Sequence, residues 1–171
     1  MPILIKKRRE MKTKKMQKVL IALDYNPTAK KVAESGFSLA KTLGAEVILL
    51  HVITDPVYYS STEYSPITGF TGFLDEGPMQ LNSVDTLKNV SQQFLDKLKH
   101  QLDDNTIQTL VEEGDYAESI LKAAKDLQAD IIVMGTHSRK WLENIVMGSV
   151  TEKVLNHTTI PLFIIPTKKH K

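Results

Sequence analysis

The chain has 171 residues, 42% of them hydrophobic, which suits one domain with a substantial core. No window approaches the ~18 consecutive apolar residues of a membrane span, and no signal-peptide pattern follows the basic amino terminus, so we expect a soluble cytoplasmic protein. The absence of cysteine excludes disulfides, thiolate nucleophiles and cysteine metal sites.

The net charge of +2 is unevenly distributed along the chain. Residues 1–17 hold seven lysines and arginines and the single acid Glu10, so they carry +6 and the remainder carries −4. A basic end of this kind is more typical of a solvated, flexible tail than of a nucleic-acid or lipid contact. Residues 168–171 form a second basic tail, which leaves one predicted domain over residues 18–167.

The first elements follow the amino-terminal tail directly. Val19–Leu23 is a continuous apolar run, as expected for a strand buried on both faces of a parallel sheet. Asn26-Pro27 supplies an N-cap and a first-turn proline for a helix that Gly44 closes. A second apolar run predicts a strand over Val47–Ile53.

Residues 54–82 come next and show no sustained period. Loops of this length are uncommon inside compact domains and are often lids or contact surfaces. An ordered flap that covers exposed core explains the segment equally well, so both interpretations stay open. The insertion contains Gly69 and Gly72 together with five aromatic residues, namely Tyr58, Tyr59, Tyr64, Phe70 and Phe73.

The rest of the chain continues the alternation of helices and strands. The predicted elements are a helix over Val84–Leu102, a strand over Thr106–Val111, a helix after the capping box Asp115–Glu118, a strand over Ile131–Met134, a helix from Val150 and a strand over Pro161–Ile165. Prolines bound the last strand, which favours an edge position. Five strands alternating with four helices predict an α/β fold of three layers, with a five-stranded parallel sheet and helices on both faces.

Two residues stand where such a sheet binds ligands. Open parallel sheets bind ligands beyond the carboxyl ends of their strands, where the strand order reverses. Asp24 and Gly135 follow the first and fourth predicted strands. Aspartate before Asn-Pro is also good turn chemistry, so for Asp24 a structural role competes with a binding role.

The strongest functional pattern lies in residues 131–151. Gly135 follows an apolar run, and Gly148-Ser149 precedes a predicted helix. Glycines and an unpaired helix start can present backbone N–H groups to a phosphate. Ser149–Glu152 is also a capping-box pattern, which accounts for a helix start without any ligand. No Walker motif and no G-x-G-x-x-G after a strand occurs, so the two best-known phosphate loops are excluded.

The chain resembles the universal stress protein family of the UspA type over residues 17–167. The resemblance rests on VLIALDY at the first strand, VILLHVI at the second, VEEGD before the third helix, and DIIVMGTHSRKWLENIVMGSVTEKVL. The family's nucleotide motif is G-x2-G-x9-G followed by Ser or Thr. Gly135, Gly148 and Ser149 fit it with every spacing kept, and Ser138 stands where the second glycine is expected.

This resemblance implies a Rossmann-like fold of the adenine nucleotide alpha hydrolase type that binds ATP. It also implies a homodimer through the last strand, Pro161–Ile165, and a magnesium ion placed through water with the help of Asp24. Around the adenine and ribose the resemblance places Ala22, Leu23, Asp24 and Val52. Around the ribose and phosphates it places Gly135, Ser138, Gly148, Ser149, Val150 and Thr151.

The sequence offers little for an enzyme. His51 lies in an apolar run, which is more typical of a hydrogen-bonded structural histidine than of a base. His137 lies in the glycine segment without a serine or acid at triad spacing, and Trp141 is better explained as an exposed or interface contact. No H-E-x-x-H or other metal-ligand spacing is present. We therefore expect at most slow ATP hydrolysis.

Two functions from different classes stay open. In the first, the protein is an ATP-dependent dimeric sensor or switch in stress response. In the second, it is a dimeric scaffold that binds no nucleotide and contacts a protein partner through residues 54–82. The helix start at Gly148-Ser149 favours the first function, and Ser138 favours the second.

Overall fold

Strands and helices alternate along the part of the chain that the computed structural model describes, residues 15–54, 84–136 and 147–167. The elements, in chain order, are β1 (Lys18–Leu23), α1 (Ala29–Leu43), β2 (Glu46–Ile53), α2 (Val84–Gln101), β3 (Gln108–Glu113), α3 (Tyr116–Asp126), β4 (Ile131–Thr136), α4 (Ser149–His157) and β5 (Leu162–Pro166). These bounds agree with the predicted ones to about two residues, the usual uncertainty of an element's end. The predicted alternation is confirmed.

Several predictions fall outside the described residues. They concern most of the amino-terminal tail, the carboxyl-terminal tail, and nearly all of the 54–82 insertion. The placement of His137, Ser138 and Trp141 also lies outside them. These predictions stay predictions.

All strand pairs in the described sheet are parallel, and the strand order is β3-β2-β1-β4-β5. The order reverses between β1 and β4, so a ligand crevice is expected at the carboxyl ends of these two strands. Asp24 and Gly135 lie at these ends, as predicted. The sheet continues past Gly135, because Thr136 still pairs with Pro166 of β5. β5 lies at the sheet edge, also as predicted.

The sheet is buried on both faces, which explains the unbroken apolar runs of its central strands. On β1, Ile21 and Leu23 point into a core formed with α1 and α2. Leu20 and Ala22 point into the opposite core, formed with α3 and α4. Neighbouring residues along one strand therefore pack on opposite faces of the sheet. This alternation determines which side chains at the strand ends can reach a ligand.

The predicted start of α1 was placed too early. The helix begins at Ala29, and its N-cap is Thr28, whose side chain makes no capping bond. Asn26 Oδ1 instead accepts hydrogen bonds from the backbone N–H and the hydroxyl of Thr28, at 3.0 and 2.8 Å. The asparagine thus stabilises the turn ahead of the helix, a local bond that competes with helix capping.

The predicted start of α3 is confirmed. Asp115 is its N-cap and accepts a hydrogen bond from the backbone N–H of Glu118 at 3.0 Å. The Glu118 carboxylate accepts a hydrogen bond from Lys153 Nζ of α4 at 3.2 Å. The same lysine also contacts Asp115, so α3 and α4 are joined at this surface. No helix within the described ranges is long and apolar enough to cross a membrane.

Candidate functional site

The turn after β1 holds Asp24 in a defined position. Its Oδ1 accepts a hydrogen bond from the backbone N–H of Asn26 at 3.2 Å. This hydrogen bond is the structural role in the turn that the sequence offered as the alternative to ligand binding. The residue is nevertheless exposed, so its carboxylate remains open to solvent and the structural role does not exclude contact with a ligand.

Three residues lie next to this turn, namely Ala22, Leu23 and Val52. They differ in which of their atoms a ligand could reach. Leu23 pairs with His51 in the β1–β2 register, so Asp24 comes level with Val52. Ala22 and Val52 are buried on the face covered by α3 and α4. The Leu23 side chain points to the other face and lies in the core beneath α1 and α2. At Leu23 only the backbone is therefore available at the strand end.

His51 lies beside the same turn, buried with 3% of its surface exposed. Its Nδ1 lies 2.7 Å from the carbonyl oxygen of Leu23. Because a carbonyl oxygen can only accept, Nδ1 carries the hydrogen. Burial lowers the pKa of His51 to about 4, and the hydrogen bond to Leu23 and the charge of Asp24 oppose this shift. As predicted, His51 is a hydrogen-bonded structural residue.

Gly135 is explained by packing. A Cβ built at this position would lie 2.8 Å from Val32 Cγ2 of α1 and 3.0 Å from Thr167 Cγ2. Contacts that short force neighbouring atoms to move. Gly135 is not among the described residues with positive φ, so the requirement for glycine comes from the close approach of α1 and of the chain after β5.

Thr151 joins the beginning and the end of the glycine segment. The residue is 3% exposed, and its hydroxyl donates to the carbonyl oxygen of Gly135 at 3.2 Å. This bond holds the first turn of α4 against the end of β4. It brings Gly148, Ser149 and Val150 to the strand end that carries Gly135.

The capping box predicted at Ser149–Glu152 is wrong. Gly148 is the N-cap of α4, with φ −61° and ψ 148°, and Ser149 is the first helical residue. No side chain caps the helix, because glycine takes the position from which a serine hydroxyl would reach back to the N–H groups. Within the described residues, the backbone N–H groups of Ser149, Val150 and Thr151 have no acceptor. The helix start therefore retains its donors and its partial positive charge.

A second set of bonds, which the sequence did not predict, fixes the strand ends next to Gly135. Thr167 donates its backbone N–H to Thr136 Oγ1 at 3.2 Å and its hydroxyl to the Thr136 carbonyl oxygen. Lys31 of α1 donates to the carbonyl oxygen of Pro166 at 2.6 Å. These residues belong to no motif, and only the fold brings them together. They fix the chain where it leaves β4 toward residue 137.

The chain matches the model described as the Universal stress protein family over residues 15–166. The protein belongs to the universal stress protein family. Universal stress protein MJ0577 of Methanocaldococcus jannaschii is 31% identical over 158 residues, which cover 89% of this chain and 96% of that protein. Universal stress protein A of Escherichia coli is 26% identical over 153 residues, with 88% and 94% covered.

Solved structures agree with this assignment. The structure of MJ0577 superposes with a TM-score of 0.64 at 26% identity and covers 92% of this chain and 100% of that one. A universal stress protein in complex with cAMP has the same fold, with a TM-score of 0.60 at 15% identity, covering 91% and 100%. The predicted family and fold class are thereby confirmed.

Of the ten residues predicted to bind nucleotide, nine lie within the described ranges, and they fall into two groups. Ala22, Leu23, Asp24 and Val52 lie at the ends of β1 and β2. The remainder lie at the end of β4 and the start of α4, and they are Gly135, Gly148, Ser149, Val150 and Thr151. The tenth, Ser138, lies outside the described ranges. No cluster of three or more His, Cys, Asp or Glu side chains that could hold a metal ion occurs within those ranges.

Proposed function

We propose that this universal stress protein is a cytoplasmic, ATP-binding homodimer that acts as a sensor or switch in stress response. Binding is its activity, with at most slow hydrolysis of the nucleotide. ATP bound at the two ends of the segment from Gly135 to Ser149 would bias the contacts of the dimer or of a partner.

The observation that carries this proposal is the uncapped start of α4. A free helix N-terminus attracts anions, because its unpaired N–H groups and the helix dipole both favour negative charge. The Thr151–Gly135 hydrogen bond places this start at the reversal of strand order, the usual ligand position in such sheets. A phosphate group is therefore the chemistry that the helix start fits best.

The ends of β1 and β2 suit the remainder of the nucleotide. Ala22 and Val52 offer apolar surface, and the Leu23 backbone and Asp24 carboxylate offer polar groups. When bound, magnesium would neutralise phosphate charge, and Asp24 would hold it through water rather than directly. The solved family member with cAMP supports the capacity of this fold to carry an adenine nucleotide.

A homodimer through β5 completes the proposal. β5 pairs with β4 on one side, and within the described residues no strand pairs with its other side. Phe163 on this strand is 43% exposed, which is unusual for a large apolar side chain on a sheet edge. Pairing with a second copy would cover both the open edge and this ring.

A scaffold without nucleotide is the alternative, and one observation favours it. The packing of Val32 and Thr167 explains Gly135 without any ligand, and the hydrogen bond to Gly135 occupies the hydroxyl hydrogen of Thr151. Gly135 of the motif and Thr151 beyond it would therefore have structural roles even if nothing bound there. On this alternative the 54–82 insertion would bind a protein partner.

The deciding experiment has two parts. The nucleotide content of gently purified protein is measured first, and the stripped protein is then titrated with ATP and with cAMP in the presence of magnesium. The test variant is Gly148→Asp. The backbone at Gly148 has negative φ, and aspartate is a good N-cap, so this variant should fold as stably as the wild type or slightly better. Its carboxylate would accept hydrogen bonds from the free N–H groups and repel phosphate, so nucleotide binding should disappear.

Asn156→Asp is the matched control, because it adds the same carboxylate to an exposed position at the far end of α4. It should bind ATP like the wild type. Saturable binding that is lost only in Gly148→Asp supports the switch. A wild-type protein that carries no nucleotide and ignores both ATP and cAMP would refute it and favour the scaffold.

A further inference from the structure

His51 contacts the residues on both sides of Asp24. Toward the amino-terminal side, its Nδ1–H donates to the carbonyl oxygen of Leu23 at 2.7 Å. Toward the carboxyl-terminal side, its ring packs against the ring of Tyr25 with a centroid distance of 4.2 Å. The one exposed carboxylate of the turn thus lies between two neighbours that the same buried side chain holds.

The Tyr25 ring is held from its other end as well. Its hydroxyl lies 2.5 Å from Ser91 Oγ of α2, and the Ser91 hydroxyl lies 2.7 Å from the carbonyl oxygen of Leu87. Because the single hydroxyl hydrogen of Ser91 is directed to that carbonyl, the phenol donates to Ser91. Phe94 contacts both the tyrosine and the histidine rings, with centroid distances of 5.1 and 5.7 Å. The aromatic group is therefore anchored on α2.

The histidine is specifically suited to this position. A phenylalanine would fill the aromatic group but leave the Leu23 carbonyl without its side-chain donor. The second ring nitrogen, Nε2, is buried without a hydrogen-bond partner within the described part of the chain. A polar atom is thus kept out of water, at a cost in stability, while the opposite nitrogen makes the bond to Leu23.

We propose that His51 is a positioning residue for the nucleotide site, because it fixes the Leu23 carbonyl and the Tyr25 ring and so holds the Asp24 carboxylate toward the ligand. This inference rests on the proposed function and adds to it a residue that does not touch the nucleotide. It also connects the site to α2, the helix that follows the 54–82 insertion. Movement of the Asp24 turn on binding would be transmitted to Tyr25, Ser91 and the first half of α2.

The test uses two substitutions of His51 in the full chain. His51→Phe keeps a ring and removes the donor, whereas His51→Asn keeps an N–H close to the position of Nδ1 and removes the ring. Val90→Ala is the control, since it weakens the same core from α2 but takes no part in the hydrogen bonds and ring contacts that hold Leu23 and Tyr25. Two properties are measured: the dissociation constant for ATP with magnesium, and the order parameters of the Asp24, Tyr25 and Asn26 amides by NMR relaxation.

We expect His51→Phe to weaken ATP binding about tenfold, the loss typical of one buried hydrogen bond, and to lower the three order parameters. His51→Asn should recover part of both properties. Val90→Ala should lower the melting temperature and change neither. The proposal is overturned if His51→Phe leaves the order parameters unchanged, or if Val90→Ala shifts both properties as far as His51→Phe does.

The two measurements separate this inference from the proposed function. If the wild type binds no nucleotide, the proposed function fails, and the order parameters still decide whether His51 holds the Asp24 turn. If the wild type binds ATP and all three variants bind it equally well, the proposed function stands and the role of His51 is refuted.

Discussion

The Thr151 hydroxyl donates a hydrogen bond to the carbonyl oxygen of Gly135, 3.2 Å away, and so connects the two ends of the glycine segment. Thr151 belongs to the first turn of α4, and Gly135 to the end of β4. The donor is 3% exposed, so water competes little for the bond. The position of the free helix start relative to the sheet therefore depends in part on this side-chain hydroxyl, beside the buried Val154 and the contacts of Lys153 with α3.

Replacing this threonine by valine tests that dependence. Thr151→Val preserves the shape and leaves the Gly135 carbonyl without its donor, so we expect a loss of about 1–2 kcal/mol in the free energy of unfolding. ATP binding should weaken as well, because the start of α4 is held less firmly at the end of β4. Urea unfolding and calorimetric titration measure the two effects.

Thr42→Val is the matched control. Thr42 also donates its hydroxyl to a backbone carbonyl, that of Ser38, but it does so on the exposed surface of α1. Its replacement should leave both stability and ATP binding nearly unchanged. Equal losses in the two variants would show that the Thr151–Gly135 bond has no special role.

The packing of Gly135 gives a second prediction. Gly135→Ala places a Cβ against Val32 Cγ2 and Thr167 Cγ2, and overpacking of this kind costs about 1–3 kcal/mol. Val32→Ala removes the closer of these atoms. The double variant should therefore lose less stability than the sum of the two single losses, a non-additivity that urea unfolding of the three variants measures. Strict additivity would contradict the packing explanation.

The order of the elements could be predicted because each leaves a local signal. The apolar run of β1 and the capping aspartate of α3 depend on neighbours in sequence, and both predictions are confirmed. The edge position of β5 was predicted from the prolines that bound it. In each case the deciding interaction lies within a few residues, or follows from burial on two faces of one sheet.

The predictions that failed, and the features that were missed, depend on contacts distant in sequence or on competition between adjacent residues. Ser149 and Gly148 both fit an N-cap. The helix begins one residue earlier than predicted, so Gly148 is the N-cap and Ser149 is the first helical residue. The reason for glycine at 135 lies with Val32 and Thr167, which no local pattern connects to it. Likewise, the sequence indicated that His51 is structural but not that it contacts both neighbours of Asp24.

The proposed dimer predicts a specific effect at the sheet edge. Phe163→Lys places a charge on the exposed edge strand, so we expect the dimer to dissociate at micromolar concentration while the monomer keeps its fold. Leu155→Lys is the control, since Leu155 is equally exposed, at 44% against 43%, but lies on α4 rather than on the edge strand. Light scattering after size exclusion gives the mass. The interface is misplaced if Leu155→Lys dissociates the dimer and Phe163→Lys does not.

The buried histidine makes stability depend on pH within a defined range. In the folded protein the pKa of His51 is about 4, below its ordinary value of 6.5, because burial disfavours the charged ring. Between these values the unfolded chain binds a proton that the folded protein does not, so stability is full above pH 6.5 and falls as the pH drops toward 4. The shift corresponds to a loss of about 3 kcal/mol at the lower end.

This loss can be separated from acid effects on carboxylates. The pKa values of Asp104 and Asp115 are lowered by hydrogen bonds, Asp104 mainly by Lys41 and Asp115 mainly by the backbone N–H of Glu118. Their contributions therefore disappear mostly below pH 4, outside the range assigned to His51. Urea unfolding at several pH values between 7 and 4 should show a decline in the wild type that is absent in His51→Phe, whatever the stability of that variant at neutral pH. The same decline in both proteins would mean that another group causes it.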